Sequence, residues 1–298
     1  MHAELIVAVL AGMGGMFGWG FSEFGAKKSV DDIGAISSLV WAHVFGTVIL
    51  FALLIARSSF THESVYFPTD SGVWLGLIFF GALQAAVYYF AYKGFGEGEV
   101  SILSPIFASF AGLVALLSVL VFGEILSVGM VPALVIIFGG VILMNLDLGR
   151  FRTAGVRIKA VAGLKAILVA TALATIWTLG WNTFSGTQDW IVYTTFMFVF
   201  MTLAAFGMAR LAKVNLMEVK PRAWKFLWLI AVGEVVAYLA ITLGYANTSY
   251  TSVVAILSGA SSLPTILLAR IFLKEQMTKT QAVSCVVIIA GIVILAVS

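Results

Sequence analysis

Charge is what this chain has least of: Asp, Glu, Lys and Arg make up 10% of its 298 residues, while 61% are hydrophobic and the mean hydropathy is +1.08. Soluble domains carry roughly 25% charged residues, so a water-soluble fold would have a core and too little polar surface to cover it. Cysteine is absent apart from Cys285, in the last apolar run, which excludes an intrachain disulfide and a cysteine zinc cluster. With only His2, His43 and His62 available, there is no H-E-x-x-H and no nucleophile–histidine pairing, and no glycine run has the strand-to-helix setting of a P-loop. An enzyme, a metal site and a cofactor are therefore not expected. A net charge of +3 spread over the ends of apolar runs forms no nucleic-acid patch. The N-terminus has Glu4, no basic leader and no small-residue cleavage site, and is read as a retained first span.

What the chain has in abundance is long apolar runs. A window of about 20 residues, enough to cross roughly 30 Å of hydrocarbon, predicts ten transmembrane helices near 5–26, 33–56, 71–92, 100–122, 129–146, 161–182, 190–211, 225–246, 250–273 and 280–297. The expected fold is an all-α integral membrane protein in a cell (inner or plasma) membrane. Of the 17 Lys and Arg residues, only Arg57 lies off the face where odd-numbered spans end. The positive-inside rule makes that basic face cytoplasmic and puts both termini outside.

Residues 101–145 and 252–296 align without a gap at Ser101/Ser252, Leu116/Leu267, Leu117/Leu268, Glu124/Glu275, Val135/Val286, Ile137/Ile288 and Gly140/Gly291. Span boundaries and one shared carboxylate fall in register. Residues 1–146 thus form a first five-helix repeat, 147–160 a basic linker and 161–298 a second repeat. Five is odd, so the two repeats must be inverted in the bilayer.

Several residues carry a resemblance: Gly18-Trp19-Gly20 in span one, Ser104-Pro105 in span four, Gly123-Glu124 at its end and Gly139-Gly140 in span five. With them the chain resembles the drug/metabolite transporter superfamily, in particular its ten-span EamA-type members. The second half departs from this pattern, with Lys274 where Gly would precede Glu275 and Pro264 out of register with Pro105. The resemblance implies secondary transport by alternating access, around a cavity lined by spans one, three, four, six, eight and nine. It also implies cytoplasmic termini, the reverse of the charge count.

Glu234 is the leading site candidate. It lies nine residues past Lys225, about 13 Å into the bilayer at ~1.5 Å per residue, where a carboxylate costs at least ~2.5–3.5 kcal/mol and needs a partner or a wet cavity. Its functional reading is proton exchange or cation binding; the alternative is a packing Glu bonded to a neighbour. Tyr238 follows one turn on, and in span three Gln84 and Tyr88 are spaced to offer hydrogen bonds to a polar solute. Trp19 with Glu23, and Trp177 with Trp181, form i, i+4 pairs suited to a cationic or aromatic solute; a salt bridge from Glu23 to Lys27 and an aromatic belt are the alternatives. Ser258 and Ser262 read as packing or as hydroxyl contacts to substrate. Glu124 and Glu275, at span ends, read as gate or turn residues. His43 is read as a hydrogen-bonded structural residue, because in similar proteins span two lies outside the cavity.

The expected function is secondary transport, proton-coupled or by exchange, of a small polar metabolite such as an amino acid. A quaternary-ammonium or drug-like cation is the alternative, and a channel or membrane scaffold the alternative of another class. The expected partners are a small-molecule substrate and the lipid bilayer, with no nucleic acid; the protein would be a monomer or homodimer.

Overall fold

In hydrocarbon nothing but the chain itself can satisfy backbone N–H and C=O groups, so uninterrupted apolar runs close into helices. The computed structural model describes residues 2–61, 65, 67–97, 100–146, 162–186, 188–274 and 276–298, and among these there is no strand. The basic linker 147–160 and Glu275 lie outside the described residues.

The helices are α1 (His2–Ile33), α2 (Ala35–Thr61), α3 (Ser71–Glu97), α4 (Val100–Ala108), α5 (Phe110–Leu120), α6 (Met130–Asn145), α7 (Leu164–Ser185), α8 (Trp190–Leu211), α9 (Ala223–Asn247), α10 (Thr251–Ser258), α11 (Ser262–Leu273) and α12 (Lys279–Ala296). A 3-10 turn, Gly259–Ser261, joins α10 to α11. Among the described residues nine segments are long and apolar enough to cross a membrane, and Met130–Asn145 is a shorter tenth.

Spans four and nine, expected as single helices, are each broken. Span four breaks at Ser109 and span nine at 259–261, where Ala260 has φ −81° and ψ 17°. Pro264 has no N–H to return to the Ala260 carbonyl, and Ser109 and Ser258 each donate a side-chain bond to a carbonyl three residues back. These are the local competitions that bend helices. Lys274 and Gly123 both sit at positive φ, 55° and 69°. The departure from glycine at 274 thus keeps the left-handed helix stop and replaces only the residue that adopts it.

The packing follows the repeat. α1 lies on α9 while α3 lies on α7; α2 pairs with α8, α5 with α10 and α6 with α12. At the α6–α12 contact, a methyl on Gly140 would come within 2.7 Å of Ile288 and one on Gly291 within 2.6 Å of Ile137. Two glycine hollows receive two isoleucines reciprocally, as a two-fold contact requires, which accounts for the Ile137/Ile288 and Gly140/Gly291 identities. At the α1–α9 crossing, a methyl on Gly18 would lie 2.6 Å from the Gly233 carbonyl oxygen, and one on Gly233 2.5 Å from that of Gly18. The helices touch backbone to backbone there, and the next residue on α9 is Glu234.

Candidate functional site

The α1–α9 contact carries Glu234 to the middle of the bundle, where its side chain is buried. Ser22, from the facing turn of α1, donates to Glu234 Oε1 at 3.3 Å, and Tyr88 of α3 donates to the same oxygen at 3.4 Å. The other oxygen, Oε2, stands 3.1 Å from His43 Nε2 of α2. That is ion-pair range, but neither atom is aligned for a hydrogen bond. His43 Nδ1 is 2.6 Å from the Leu39 carbonyl oxygen, and its ring packs against Tyr88 and Phe198. Span two therefore reaches the centre, contrary to the peripheral place expected for it. A signal for this was available: two ionisable side chains at mid-depth in different spans have few stable arrangements other than facing each other.

One turn along α9 from Glu234, Tyr238 accepts a 2.6 Å bond from Gln84 Nε2 and lies 3.3 Å from the Tyr88 hydroxyl. Trp19, Trp177 and Phe198 each meet the Tyr238 ring edge to face, with centroids 5.1 to 5.7 Å apart. Trp177 stacks on Trp181 at 5.7 Å and 11°. Both indoles are buried and bonded, Trp177 Nε1 to the Phe80 carbonyl at 3.1 Å and Trp181 Nε1 to Thr242 at 3.0 Å, so neither is an interfacial anchor. Four polar atoms here are buried without a hydrogen-bond partner: Trp19 Nε1, Gln84 Oε1, His43 Nε2 and Glu234 Oε2.

Seven of the sequence candidates, Glu234, Gln84, Tyr88, Tyr238, Trp19, Trp177 and Trp181, thus form one connected buried cluster around Tyr238. Three others lie elsewhere. Glu23 accepts from Ser261 at 2.7 Å and Thr265 at 2.8 Å, joining α1 to the second half of span nine. Ser258 donates to the Ala255 carbonyl of its own helix, and Ser262 is 3.2 Å from Asn145 Nδ2, with Ser104 on the same asparagine. Glu23 and Ser262 bond between helices, and Ser258 within its own.

Glu124 occupies one end of the bundle. Its carboxylate accepts from the Ser252 amide at 3.0 Å and from the Ser252 hydroxyl, holding the N-terminus of α10 from the α5–α6 loop. Burial pushes its carboxyl above the ordinary glutamate range, and the bonds from Ser252 partly offset this. A cleft of about 470 Å³ opens beside it, lined by Ser118, Asn182, Ser249, Tyr250 and Thr251. Ser249 also donates to Glu4 at 3.0 Å, so this is the face of the chain termini. From the cleft, Asn182 bonds Thr251 at 2.6 Å, and the adjacent Trp181 leads to Thr242 and so toward Tyr238. On the opposite, basic face Arg222 clasps Asp32 with Nε at 2.7 and 2.8 Å and with Nη2, while Lys220 stands 3.9 Å away. The hydrogen bonds from Arg222 to Asp32 raise the guanidinium above its usual range.

The family model of the EamA-like transporter family matches residues 6–146 and again 162–297. A search of the curated proteins finds no match. A solved structure described only as the crystal structure of a protein superposes with a TM-score of 0.77 at 15% identity, covering 97% of each chain. At that identity the likeness speaks for the fold. With the family model matched twice over almost the whole length, the chain belongs to the EamA-like transporter family and is a multi-pass membrane transporter of the drug/metabolite type.

Proposed function

We propose that the protein is a secondary transporter of a small polar metabolite such as an amino acid, working by alternating access around Glu234, with a proton exchanged there. The observation that carries this reading is the set of four unpartnered polar atoms in one buried aromatic cluster, Trp19 Nε1, Gln84 Oε1, His43 Nε2 and Glu234 Oε2. A buried polar atom left unpaired costs roughly 1–3 kcal/mol. A solute that offered both a donor and an acceptor would remove several of these costs at once. An ammonium group suits the Glu234 and His43 side, and a carboxylate or hydroxyl suits the Trp19 indole N–H.

The carrier would be held shut on alternate faces, by Glu124 and Ser252 at the termini and by Asp32 and Arg222 at the basic end. In the reading by charge, the basic face is cytoplasmic in a cell membrane and the cleft beside Glu124 opens outward. The stacked Trp177–Trp181 pair favours a second reading, a quaternary-ammonium or drug-like cation held by cation–π contact.

Proteoliposomes carrying a pH gradient distinguish the two. Uptake of a radiolabelled amino-acid mixture should saturate, show counterflow and lose its response to the gradient in Glu234→Gln. Saturable uptake of labelled tetraethylammonium with none of the mixture would replace the first reading by the second. Linear, non-saturating flux of both would put the protein with channels.

A further inference from the structure

Taking Glu234 as the exchange site, we infer that the proton is held by the His43–Glu234 pair, one proton between two acceptors, with His43 an obligatory half of the coupling site. A backbone carbonyl can only accept, so the 2.6 Å approach of His43 Nδ1 to the Leu39 oxygen places an N–H on Nδ1. Nε2 of the neutral ring then presents a lone pair. It stands 3.1 Å from Glu234 Oε2, another lone-pair atom, and neither has a hydrogen-bond partner. Two bare acceptors at that distance repel and both protonated would set two donors head to head, whereas a single proton removes both clashes, as an imidazolium and a carboxylate within ion-pair range or as a neutral acid beside a neutral ring.

The surroundings keep the count closed. α1 contributes Ser22, which donates to the other carboxylate oxygen, while the neighbouring Glu23 is turned to Ser261 and Thr265 of span nine. α3 contributes Tyr88, with Tyr92 packed at a tilt behind it, α8 contributes Phe198 and α9 contributes Tyr238. The titratable groups facing the pair are thus tyrosines, which donate to Glu234 Oε1 or lie behind and leave the Nε2–Oε2 gap alone.

The pair also selects what replaces the proton. When the proton leaves to water on the open face, the two acceptors again need a hydrogen between them, and a solute bearing N–H supplies it. A primary ammonium qualifies; a quaternary ammonium, with no N–H, does not. The exchange is one proton out for one N–H donor in, and no other bond changes.

The proton content can be read without any substrate. In a His2→Gln/His62→Gln background, 15N-histidine labelling leaves His43 as the sole histidine signal in lipid. The infrared carboxyl band of Glu234 is assigned by its loss in Glu234→Gln, or by its displacement in Glu234→Asp should the first variant fail to assemble. At pH 7 the expectation is a protonated Nδ1 and one further proton, seen either as an Nε2–H resonance or as a protonated carboxyl band. Neither signal, both signals, or a bare Nδ1 would overturn the inference. Transport could persist in each of those cases, so the failure of the pair and the failure of the transport reading are separable.

Discussion

A carboxyl group at mid-span is tolerated where something meets it, and Glu234 is met on three sides by Ser22, Tyr88 and His43. Its position was legible from hydropathy alone, because a lone acid nine residues past Lys225 stands out in so apolar a run. Its partner was not. His43 and Glu234 are 191 positions apart in sequence, and only the packing of α2 against α9 makes them neighbours. Gln84 was legible as polar and inward, but its bond is to Tyr238 and leaves Oε1 bare. That pairing yields a prediction. Tyr238→Phe removes the oxygen that Gln84 Nε2 reaches and should destabilise by about 1–3 kcal/mol. Gln84→Leu with Tyr238→Phe should cost less than the sum of the two single changes, because the double variant leaves no orphan. Thermal unfolding of the four proteins in detergent checks this; simple additivity would mean the two side chains are independent.

Helices α1 and α9 come together because Gly18 and Gly233 meet at the point of contact, which leaves no room there for a side chain. Gly233→Ala would place a methyl 2.5 Å from a backbone oxygen that cannot yield, so the folded yield should fall sharply. Gly139→Ala meets nothing within 4 Å and replaces a helical glycine, so it should be neutral or stabilise by about 0.5–1 kcal/mol. Equal effects in a fluorescence size-exclusion assay would contradict this account of the crossing.

The broken spans were half legible. Ser109 and Ala260 stand at the same place in the two repeats, yet Pro105 and Pro264 do not, so proline positions alone mislead about a symmetric feature. Helix α10, the first half of span nine, has its N-terminus held by Glu124, and this hold should depend on pH. Burial raises the Glu124 carboxyl above its solvated range, so the closed arrangement is fully favoured below that range and loses favour as pH rises through the raised value. Hydrogen exchange at the Ser252 amide, taken relative to Glu124→Gln at each pH, should therefore quicken as pH rises from mildly acidic values. A ratio independent of pH would show that Glu124 does not govern this end.

At the scale of the whole molecule, each face of the two inverted halves carries one polar contact between helices, Glu124 with Ser252 at the terminal face and Asp32 with Arg222 at the basic one, which the proposed cycle would open in turn. The repeat was legible because its identities include residues on the two-fold contact itself, Gly140 and Gly291 with Ile137 and Ile288. The closures were less so, since Asp32 and Arg222 have no matching echo and meet only through the antiparallel run of α1 along α9. In the proposed cycle Glu234 is reached from one face at a time. In a Cys285→Ala protein, Ser22→Cys puts a single small thiol beside Glu234, and membrane-impermeant thiol reagents can be applied from either side of a liposome. Labelling is expected from both sides with reciprocal changes: Glu124→Ala should raise the rate from the terminal face and lower it from the basic face, and Arg222→Gln should do the opposite. Labelling from one side only, or rates that rise on both sides together, would contradict it.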